Sequence, residues 1–368
     1  MPEFKSHHYV PQFYMRYFSD ATGKRIGIHV LKSGKHIPFA PITGQACKDY
    51  FYGKDSGAER ALGKVEGTTV PIISRLRAGD PTPEIGSEDH ERLMFYIGIQ
   101  HCRTLAAEAE HQERSEQAAK SILRTQAELE GNEQMLSALE HVRIKRTNAV
   151  SEVLGYATVA ASLLTDLKLV LIHNHSGVPF IASDAPVVLH NRLYEGSGQV
   201  SVTGYANIGL QIILPLGPDM ALLAYDCAAY RVEGAVDGAV RLTDLGSVGL
   251  INDLQWENAH AVLILPPNFG DDVLTEAAAR WTGLRDSQRV IFHEEIMAVT
   301  DKEVRTRFGG GRRASCLRMD LPFMSAILPA PQPLQQFDIP PVRNQDKVDR
   351  VDRAFARIDS KGLRRKPA

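Results

Sequence analysis

The hydrophobic periodicity of this chain changes near Thr165, and this change constrains the fold more than any other feature of the sequence. Between residues 56 and 165, apolar side chains recur every three or four residues, as Leu62, Val65 and Leu76 do, which is the spacing of amphipathic helices. Beyond Thr165 the spacing falls toward two, which is the period of a β-strand. Because a run of helices precedes a run of strands, we predict an α+β fold rather than a doubly wound sheet.

The N-terminal region has a pattern of its own. We predict a short amphipathic helix over 10–18, followed by a β-hairpin in which 25–31 pairs with 35–39 across a Ser-Gly turn. A short helix at 43–47 and a strand at 50–52 are predicted to follow. The fold therefore begins with a helical motif and a hairpin before the long helices start.

The length is about twice that of an ordinary domain, since 368 residues compare with roughly 100 to 200 per domain. We interpret residues 1–330 as a single composite α+β domain. Its helical part covers about 56–165, and its sheet-rich part, about 166–330, combines a mixed or antiparallel sheet with C-terminal helices. The remaining 331–368 is rich in proline and then in basic residues, a composition that predicts a flexible or weakly helical tail.

The charge balance and the cysteine spacing argue against several classes of protein. The 42 Lys and Arg nearly cancel the 44 Asp and Glu, giving a formal charge of -2, so the chain as a whole is not attracted to nucleic acid or anionic lipid, although a local basic patch is compatible with this balance. The four cysteines form no Cys-x-x-Cys pair, which argues against a structural zinc site and a disulfide framework. No apolar segment approaches the ~20 residues of a membrane span. We therefore expect a cytoplasmic protein without a membrane partner.

The chain opens with two adjacent histidines and a dense aromatic run, Ser6–Phe18. On an extended segment His7 and His8 point to opposite faces, so one can face a site while the other holds it in place. Imidazole binds metals and titrates near neutral pH, so we predict either histidine as a metal ligand or general base. Gln12 and Arg16 share one face of the following helix and are predicted substrate contacts. An equally weighted alternative is that the histidines cap the helix and bond the core.

A second polar group interrupts an apolar helix, where Gln100, Arg103 and Thr104 share one face. An arginine among apolar neighbours is costly unless it meets a carboxylate, a phosphate or a carbonyl. Arg103 therefore either stabilises a bound anion, with Gln100 as a further substrate contact, or forms a buried ion pair with Glu66 or Asp184.

The third polar group lies in Pro179–Leu189, where a strand gives way to a proline-containing turn at Ser183 and Asp184. A carboxylate in this position can reach a pocket at the end of a sheet. We predict Asp184 as a catalytic group or metal ligand and Ser183 as a substrate contact. The alternative is an Asx turn, in which Asp184 bonds its own backbone.

Two weaker signals accompany these motifs. Glu59 and Glu66 lie seven residues apart on one helical face, and Glu66 is the better candidate for a metal ligand or general base because its neighbours are apolar. The run Gly309–Gly311 precedes two arginines and has the composition of a phosphate-binding loop. Without a strand and helix around it, that run is more typical of a mobile turn.

Taken in order, the motifs resemble those of a bacterial family known as domain of unknown function 4238. Its opening His-His-Tyr-Val-Pro-Gln-Phe-Tyr-Leu-Arg matches His7–Arg16, with methionine in place of leucine. Its Gln-x-x-Arg-Thr-Pro motif matches Gln100–Leu105, with leucine in the last position. Its Pro-Phe-Ile-Thr-Ser-Asp-Asn-Pro-Val matches Pro179–Val187 with two alanines as departures, and its Pro-Leu-Ser-Pro matches Pro215–Pro218 with glycine for serine. The resemblance covers about residues 5–267.

The histidine opening also resembles that of HNH-type nucleases, in which a hairpin and a short helix follow the histidine. Residues 25–47 offer both elements. HNH sites usually need an asparagine and a second histidine, whereas this chain has no asparagine before Asn132 and offers only His29 and His36. The helix predicted near 13–18 also falls where the hairpin should begin.

The family resemblance implies that the three polar groups belong to one domain and converge in one cleft. A carboxylate, two imidazoles and a guanidinium there would suit the binding and cleavage of a phosphoester. We therefore expect a hydrolase, either a nuclease or a nucleotide phosphodiesterase, in which His7, His8, Asp184 and Arg103 are catalytic. A divalent metal ion is the candidate cofactor, with His8, Asp184 and Glu66 as its ligands, and nucleic acid or a nucleotide is the expected partner. The alternatives are a non-catalytic module that binds a nucleotide or a protein, and a purely structural network.

Overall fold

The structure is a computed structural model that describes residues 5–147, 149–267, 269–282, 290–299 and 304–362. It confirms the α+β class, and no helix in these ranges is long and apolar enough to span a membrane. The helices are α1 (Gln12–Arg16), α2 (Gly57–Ala78), α3 (Glu88–Cys102), α4 (Leu105–Leu129), α5 (Glu133–His141), α6 (Ala149–Ala160), α7 (Leu245–Asn258), α8 (Asp271–Thr282) and α9 (Gln345–Gly362). The strands are β1 (Ser6–His8), β2 (Arg25–Val30), β3 (Lys35–Pro41), β4 (Cys47–Asp49), β5 (Lys168–Asn174), β6 (Ala182–Ser183), β7 (Val188–His190), β8 (Gln211–Gly217), β9 (Met220–Tyr225), β10 (Tyr230–Val232), β11 (Ala239–Leu242), β12 (Val262–Leu265), β13 (Val290–Val299), β14 (Val304–Arg312) and β15 (Met324–Ala326).

Helices α3 and α4 meet at Arg103, and local capping explains why the helix breaks there. Ser87 begins α3 by accepting a hydrogen bond from the backbone N–H of His90 at 3.3 Å, as helix-capping serines do. Thr104 begins α4 in the same way, accepting from the N–H of Ala107 at 3.2 Å. Because a capping residue has extended dihedrals, as Thr104 does, α3 must end just before it. Arg103 is therefore held at the junction between the two helices.

Two sheets organise the fold. The larger has five strands in the order β11-β5-β9-β8-β7. In it β11 is parallel to β5 and the other pairs are antiparallel, so it is a mixed sheet. The smaller is antiparallel, in the order β3-β2-β12-β6, and contains the hairpin predicted near the N-terminus. A separate antiparallel pair, β1 with β4, carries the N-terminal histidines.

The five-stranded sheet is buried on both faces. In β5, Leu169 and Leu171 pack into a first cluster with the N-terminal aromatics, α2 and α3, whereas Val170 and Ile172 pack into a second cluster with α7. This alternation follows from the two-residue period of a strand. Tyr14 of α1 donates its hydroxyl to a backbone carbonyl of β8 at 2.6 Å, which attaches the N-terminal motif to the sheet.

The second cluster also contains residues close to the C-terminal end of the described chain. Met319, Leu321 and Phe323 are buried in it, and strand β15, which follows them, pairs with β10. The face of the five-stranded sheet that lies away from the N-terminal motif is therefore covered partly by residues 319–326.

The segment predicted to be a flexible or weakly helical tail contains helix α9, which contacts α6 and the turn after it. Arg343, just before α9, donates to the carbonyls of Leu163 and Tyr205, each at 2.8 Å, and pairs with Asp166 at 2.9 Å. Val351 within α9 is buried. Composition alone does not show this docking, because it averages over the whole segment, whereas a few apolar side chains at helical spacing can pack one face of a helix.

The glycine run predicted to be a mobile turn lies inside strand β14. Gly309, Gly310 and Gly311 are all paired with β13. Gly310 has a φ of +115°, and a Cβ atom there would collide with the carbonyl of Ile291, so the backbone requires glycine. The prediction of a turn is therefore wrong, because pairing with β13 holds these residues extended, and the composition of the glycine run does not show that pairing.

Gly98 and Gly249 should respond in opposite ways to the same substitution, although both lie inside helices. A Cβ at Gly98 of α3 would come within 2.7 Å of the Ala161 Cβ, whereas a Cβ at Gly249 of α7 would meet nothing within 4 Å. We expect Gly98→Ala to lower the free energy of unfolding by about 1 to 3 kcal/mol through overpacking. Gly249→Ala should raise it by up to ~1 kcal/mol through helix propensity. Urea unfolding of both variants checks the pair, and equal effects would contradict the close packing of α3.

Candidate functional site

The pairing of β1 with β4 places the two N-terminal histidines on opposite faces, as the sequence predicts. His7 is buried and its ring stacks on that of Tyr52, with centroids 5.5 Å apart. Its Nδ1 accepts a hydrogen bond from the backbone N–H of Tyr52 at 3.1 Å. His8 is half-buried on the other face. His7 therefore holds the strand in place, and His8 is the histidine that solvent can reach.

The imidazole of His8 lies between two polar partners. Its Nε2 is 3.4 Å from the Nε2 of Gln12, and because an amide nitrogen can only donate, this imidazole nitrogen is the acceptor. The ring also bonds to the backbone carbonyl of Thr43. Burial lowers the pKa of the His8 imidazole, and the nearby Arg103 guanidinium lowers it further, against the effect of Thr43. The neutral form of His8 is therefore favoured near neutral pH.

Arg103 is buried, with 2% of its surface exposed, and each part of its guanidinium has a partner. Nη1 donates to Glu66 Oε1 at 2.7 Å, Nη2 donates to the His8 carbonyl at 2.7 Å, and Nε donates to the Tyr52 hydroxyl at 3.2 Å. Of the two carboxylates that the sequence offers as partners, Glu66 forms the ion pair. The predicted buried pair is confirmed, and Arg103 links α2, α3 and β1.

Several buried oxygens around Arg103 have no hydrogen-bond partner among the described residues. They are Gln100 Oε1, the Tyr96 hydroxyl one turn earlier on α3, and Glu59 Oε2 on α2. The amide nitrogen of Gln100 is satisfied, since it donates to the Tyr9 carbonyl at 3.0 Å. Buried polar atoms normally find a protein or water partner, so these three oxygens keep an unused hydrogen-bonding capacity beside Arg103.

Glu59 lies close to the same guanidinium. Burial raises the pKa of the Glu59 carboxyl and Glu66 raises it too, while His7 and Arg103 act in the opposite direction. Glu59 is half-buried and therefore holds a proton more readily than a solvated glutamate does. We name the set His8, Gln12, Glu59, Glu66 and Arg103 the His8–Arg103 cluster.

The remaining predicted residues lie at the edge of this cluster or apart from it. Arg16 is exposed and donates to Gln12 Oε1 at 3.3 Å, so its charge lies on the solvent side of the His8–Arg103 cluster. Ser183 is buried and donates to Gln255 Oε1 at 2.9 Å. Thr104 serves as the cap of α4. Only Arg16 of these three is placed to meet a molecule from solvent.

Asp184 stabilises the turn between α7 and β12 rather than its own backbone. Its Oδ1 accepts from the N–H of His260 at 2.7 Å, and its Oδ2 accepts from the N–H of Ala261 at 2.8 Å. Burial raises the pKa of the Asp184 carboxyl. The pKa of the Tyr9 phenol is raised mainly by burial, and the nearby Asp184 carboxylate is the second cause. The third motif therefore approaches the N-terminal motif through Tyr9, whereas the second motif touches it directly.

Sequence reasoning missed some members of the site. Tyr52 stacks on His7 and bonds Arg103, and Tyr96 adds an unpaired hydroxyl, but nothing in their local sequence signals these roles. Glu59 did carry a signal, because it shares a helical face with Glu66, although the more apolar neighbours of Glu66 favoured that residue.

The predicted metal ligands do not converge in this arrangement. Within the part of the chain that the structure describes, no group of three or more His, Cys, Asp or Glu side chains could hold a metal ion. Glu66 is paired with Arg103, and both oxygens of Asp184 accept backbone hydrogen bonds. These side chains therefore do not fit a shared ion with His8, and a divalent metal cofactor stays a prediction.

The model of the family described as "Protein of unknown function (DUF4238)" matches residues 6–266 of the chain. The match covers more than half of the chain and includes every member of the His8–Arg103 cluster. Comparisons with curated proteins and with solved structures found no match. The chain therefore belongs to the DUF4238 family.

Proposed function

We propose that this protein is a hydrolase that cleaves a phosphoester bond in a nucleotide or nucleic acid. The observation that carries the proposal is that one buried guanidinium, Arg103, lies close enough to act electrostatically on both His8 and Glu59. Burial lowers the pKa of His8 and raises that of Glu59, in keeping with a base and an acid. Titratable groups whose environments push their pKa values apart are the usual arrangement for an acid and a base in one site.

His8 is the general base of the proposed reaction. In its neutral form it takes a proton from a water molecule, and the resulting hydroxide attacks phosphorus. Nε2 is the nitrogen that takes the proton, and its long 3.4 Å hydrogen bond from Gln12 gives way to the attacking water. The Thr43 carbonyl holds the other side of the ring. An imidazole fixed in this way loses little entropy when it reaches the attacking water.

Glu59 is the general acid, because its protonated form is favoured by burial. It gives its proton to the leaving oxygen as the phosphorus–oxygen bond breaks, so the proton that His8 gains balances the one that Glu59 loses. Arg103, whose donors are all paired within the protein, acts on the charge that develops on the phosphoryl oxygens only through its electrostatic field. Arg16 supplies the positive charge that can contact those oxygens at the exposed side. Asp184 takes no part, since its two oxygens are occupied by the backbone of the turn.

The second candidate, a non-catalytic module that binds a nucleotide, is favoured by a different observation. Gln100 Oε1 and the Tyr96 hydroxyl are buried and without partners among the described residues, so they can receive hydrogen bonds from a bound molecule without any reaction. This function predicts that nucleotides raise the melting temperature without being turned over.

We expect the wild-type protein to hydrolyse a phosphodiester with a bell-shaped pH dependence on the acid side of neutrality. Below the pKa of His8, which burial holds under its ordinary 6.5, the base is protonated and the rate falls. Above the pKa of Glu59, which lies over its ordinary 4.5, the acid is lost and the rate falls again. Because one pKa is lowered from 6.5 and the other is raised from 4.5, the optimum is expected on the acid side of neutrality.

The assay measures initial rates from pH 4 to 9 on bis-(p-nitrophenyl) phosphate, a dinucleotide and single-stranded DNA. Parallel arms with EDTA and with added Mg²⁺ or Mn²⁺ test the metal. A rate that rises steadily from pH 6 to pH 9 would contradict the acid role of Glu59. Thermal stabilisation by nucleotides with no hydrolysis on any substrate would favour the binding module.

A further inference from the structure

A groove lies along the hairpin formed by β13 and β14. Its volume is about 1060 Å³, and its walls are the turn at 196–201, the hairpin itself and the segment 334–340. None of its lining residues belongs to the His8–Arg103 cluster. Small-molecule sites usually measure roughly 300 to 1,000 Å³, so the groove is large enough for a molecule of the size of a nucleotide.

Hydrogen bonds join the walls of the groove to one another. Gln199 Nε2 donates to the Leu334 carbonyl at 3.0 Å, and Gln199 Oε1 accepts from the Leu334 N–H at 3.1 Å. The Ser201 N–H donates to the Arg312 carbonyl of β14, also at 3.0 Å. The turn is therefore attached to both other walls, and the groove is formed before any ligand binds, which lowers the cost of binding.

Arg307 of β14 is fixed at the groove but keeps most of its hydrogen-bond donors. Its guanidinium lies over the Phe337 ring, 4.9 Å from the centroid, and its Nη2 donates to the Phe337 carbonyl at 2.8 Å. The residue is exposed. Among the described residues its other N–H groups have no partner, and its cross-strand neighbour Glu295 forms no ion pair with it. An exposed guanidinium held in this way can donate to a phosphate.

The other lining side chains favour an anion that carries a flat ring. Arg313 adds a second guanidinium, whereas Asp338 is the one carboxylate among the lining residues that the structure describes. His293 packs edge-on against Phe337, with centroids 6.2 Å apart, and extends the aromatic wall. The ring of Phe337 rests directly on the strand, because a Cβ at Gly309 would come within 2.8 Å of it. Nucleic-acid bases stack on aromatic rings and on guanidinium planes of this kind.

We propose that this groove is a binding site for nucleoside phosphates. Arg307 donates to the phosphate, Arg313 adds its positive charge, and the base lies against the wall formed by Arg307, Phe337 and His293. A phosphate next to a planar base occurs both in a free nucleotide and in a single strand of nucleic acid. The site does not depend on the proposed hydrolysis, since it shares no residue with the His8–Arg103 cluster.

The test is isothermal titration calorimetry of the full-length protein in EDTA. The probes are adenosine monophosphate, ribose phosphate, inorganic phosphate and a phosphorothioate-linked hexathymidylate. We expect adenosine monophosphate to bind about 10-fold more tightly than ribose phosphate, because of base stacking. Arg307→Gln should raise the Kd of the probe that binds most tightly about 10-fold, because a charged contact to phosphate is lost. If that probe is the hexathymidylate, the slope of log Kd against log salt should also fall by about 0.7.

The matched control is Arg318→Gln, an exposed arginine near the hairpin that does not line the groove. It should leave Kd unchanged, and both variants should keep the wild-type melting temperature. Tighter binding of the hexathymidylate than of adenosine monophosphate would identify nucleic acid as the source of the ligand, and the reverse order would identify a free nucleotide.

The proposal would be overturned by wild-type protein that binds none of the probes, or by an unchanged Kd in Arg307→Gln. A Kd that rises in Arg16→Gln instead would place the ligand at the His8–Arg103 cluster and would also overturn it. Inorganic phosphate that binds as tightly as adenosine monophosphate would contradict the role of the base. None of these measurements uses hydrolysis, so their failure is distinguishable from failure of the proposed function.

Discussion

Arg103→Ala should lower the free energy of unfolding by about 3 to 5 kcal/mol, because removing one member of a buried ion pair leaves the other charge without its partner. The variant deletes the bonds to Glu66, to the His8 carbonyl and to the Tyr52 hydroxyl together. One quarter of the Glu66 side chain is exposed, so water can solvate that carboxylate in part and the effect should lie near the lower value. Urea unfolding followed by circular dichroism measures it.

The matched control is Arg92→Ala, on helix α3, which ends just before Arg103. Arg92 pairs with Glu88 one turn away, and both side chains are exposed, so its loss should change stability by no more than about 0.5 kcal/mol. A double-mutant cycle of Arg103→Ala with Glu66→Ala isolates the pair itself. If Arg103→Ala proved as mild as Arg92→Ala, the guanidinium could not be the buried junction of α2, α3 and β1.

His8→Asn should reduce phosphodiester hydrolysis about 100- to 10,000-fold, which is the usual contribution of a general base. The substitution removes the imidazole but keeps the backbone carbonyl that receives Arg103 Nη2 at 2.7 Å. The buried ion pair therefore survives, and the melting temperature should change little. The loss should appear in kcat rather than KM, because the proton is transferred only in the transition state.

The control for this variant is His141→Asn, in which an exposed histidine at the end of α5 is replaced. It should retain full activity. Equal activity of His8→Asn and the wild type would remove His8 from the mechanism, and with it the proposed hydrolase. An equal fall in activity in both variants would mean that the loss is not specific to His8, and it would not support His8 as the general base.

Local patterns predicted much of the architecture. The change of period near Thr165 gave the α+β order, and the alternating residues on either side of a Ser-Gly turn gave the hairpin of β2 and β3. These features depend on local sequence patterns, so they can be predicted without knowing which distant segments pack against them. The burial of Arg103 was also predictable, but the choice between Glu66 and Asp184 was not, since it depends on how α2 packs against α3.

The errors have a common physical cause, which is that pairing between distant segments overrides local preference. The strand predicted over 50–52 lies instead at Cys47–Asp49, because aromatic residues favour strands locally whereas the partner β1 selects the register. Asp184 resembled a site carboxylate or an Asx turn, yet it bonds amides 76 and 77 residues away. The position of Cys47 opposite His8 in the β1–β4 ladder could not be foreseen either, because it depends on that register.

The packing of residues 319–326 against the five-stranded sheet shows that the end of the family match and the end of the folded unit are different positions in the chain. The family match stops at residue 266, but the apolar face served by Met319, Leu321 and Phe323 belongs to strands inside the matched region. The segment that matches the family is therefore shorter than the segment that folds as one unit in this chain. A chain that ended at residue 266 would have to cover that apolar face with other side chains. Residues beyond 266 are therefore structurally part of the same folding unit as the matched residues.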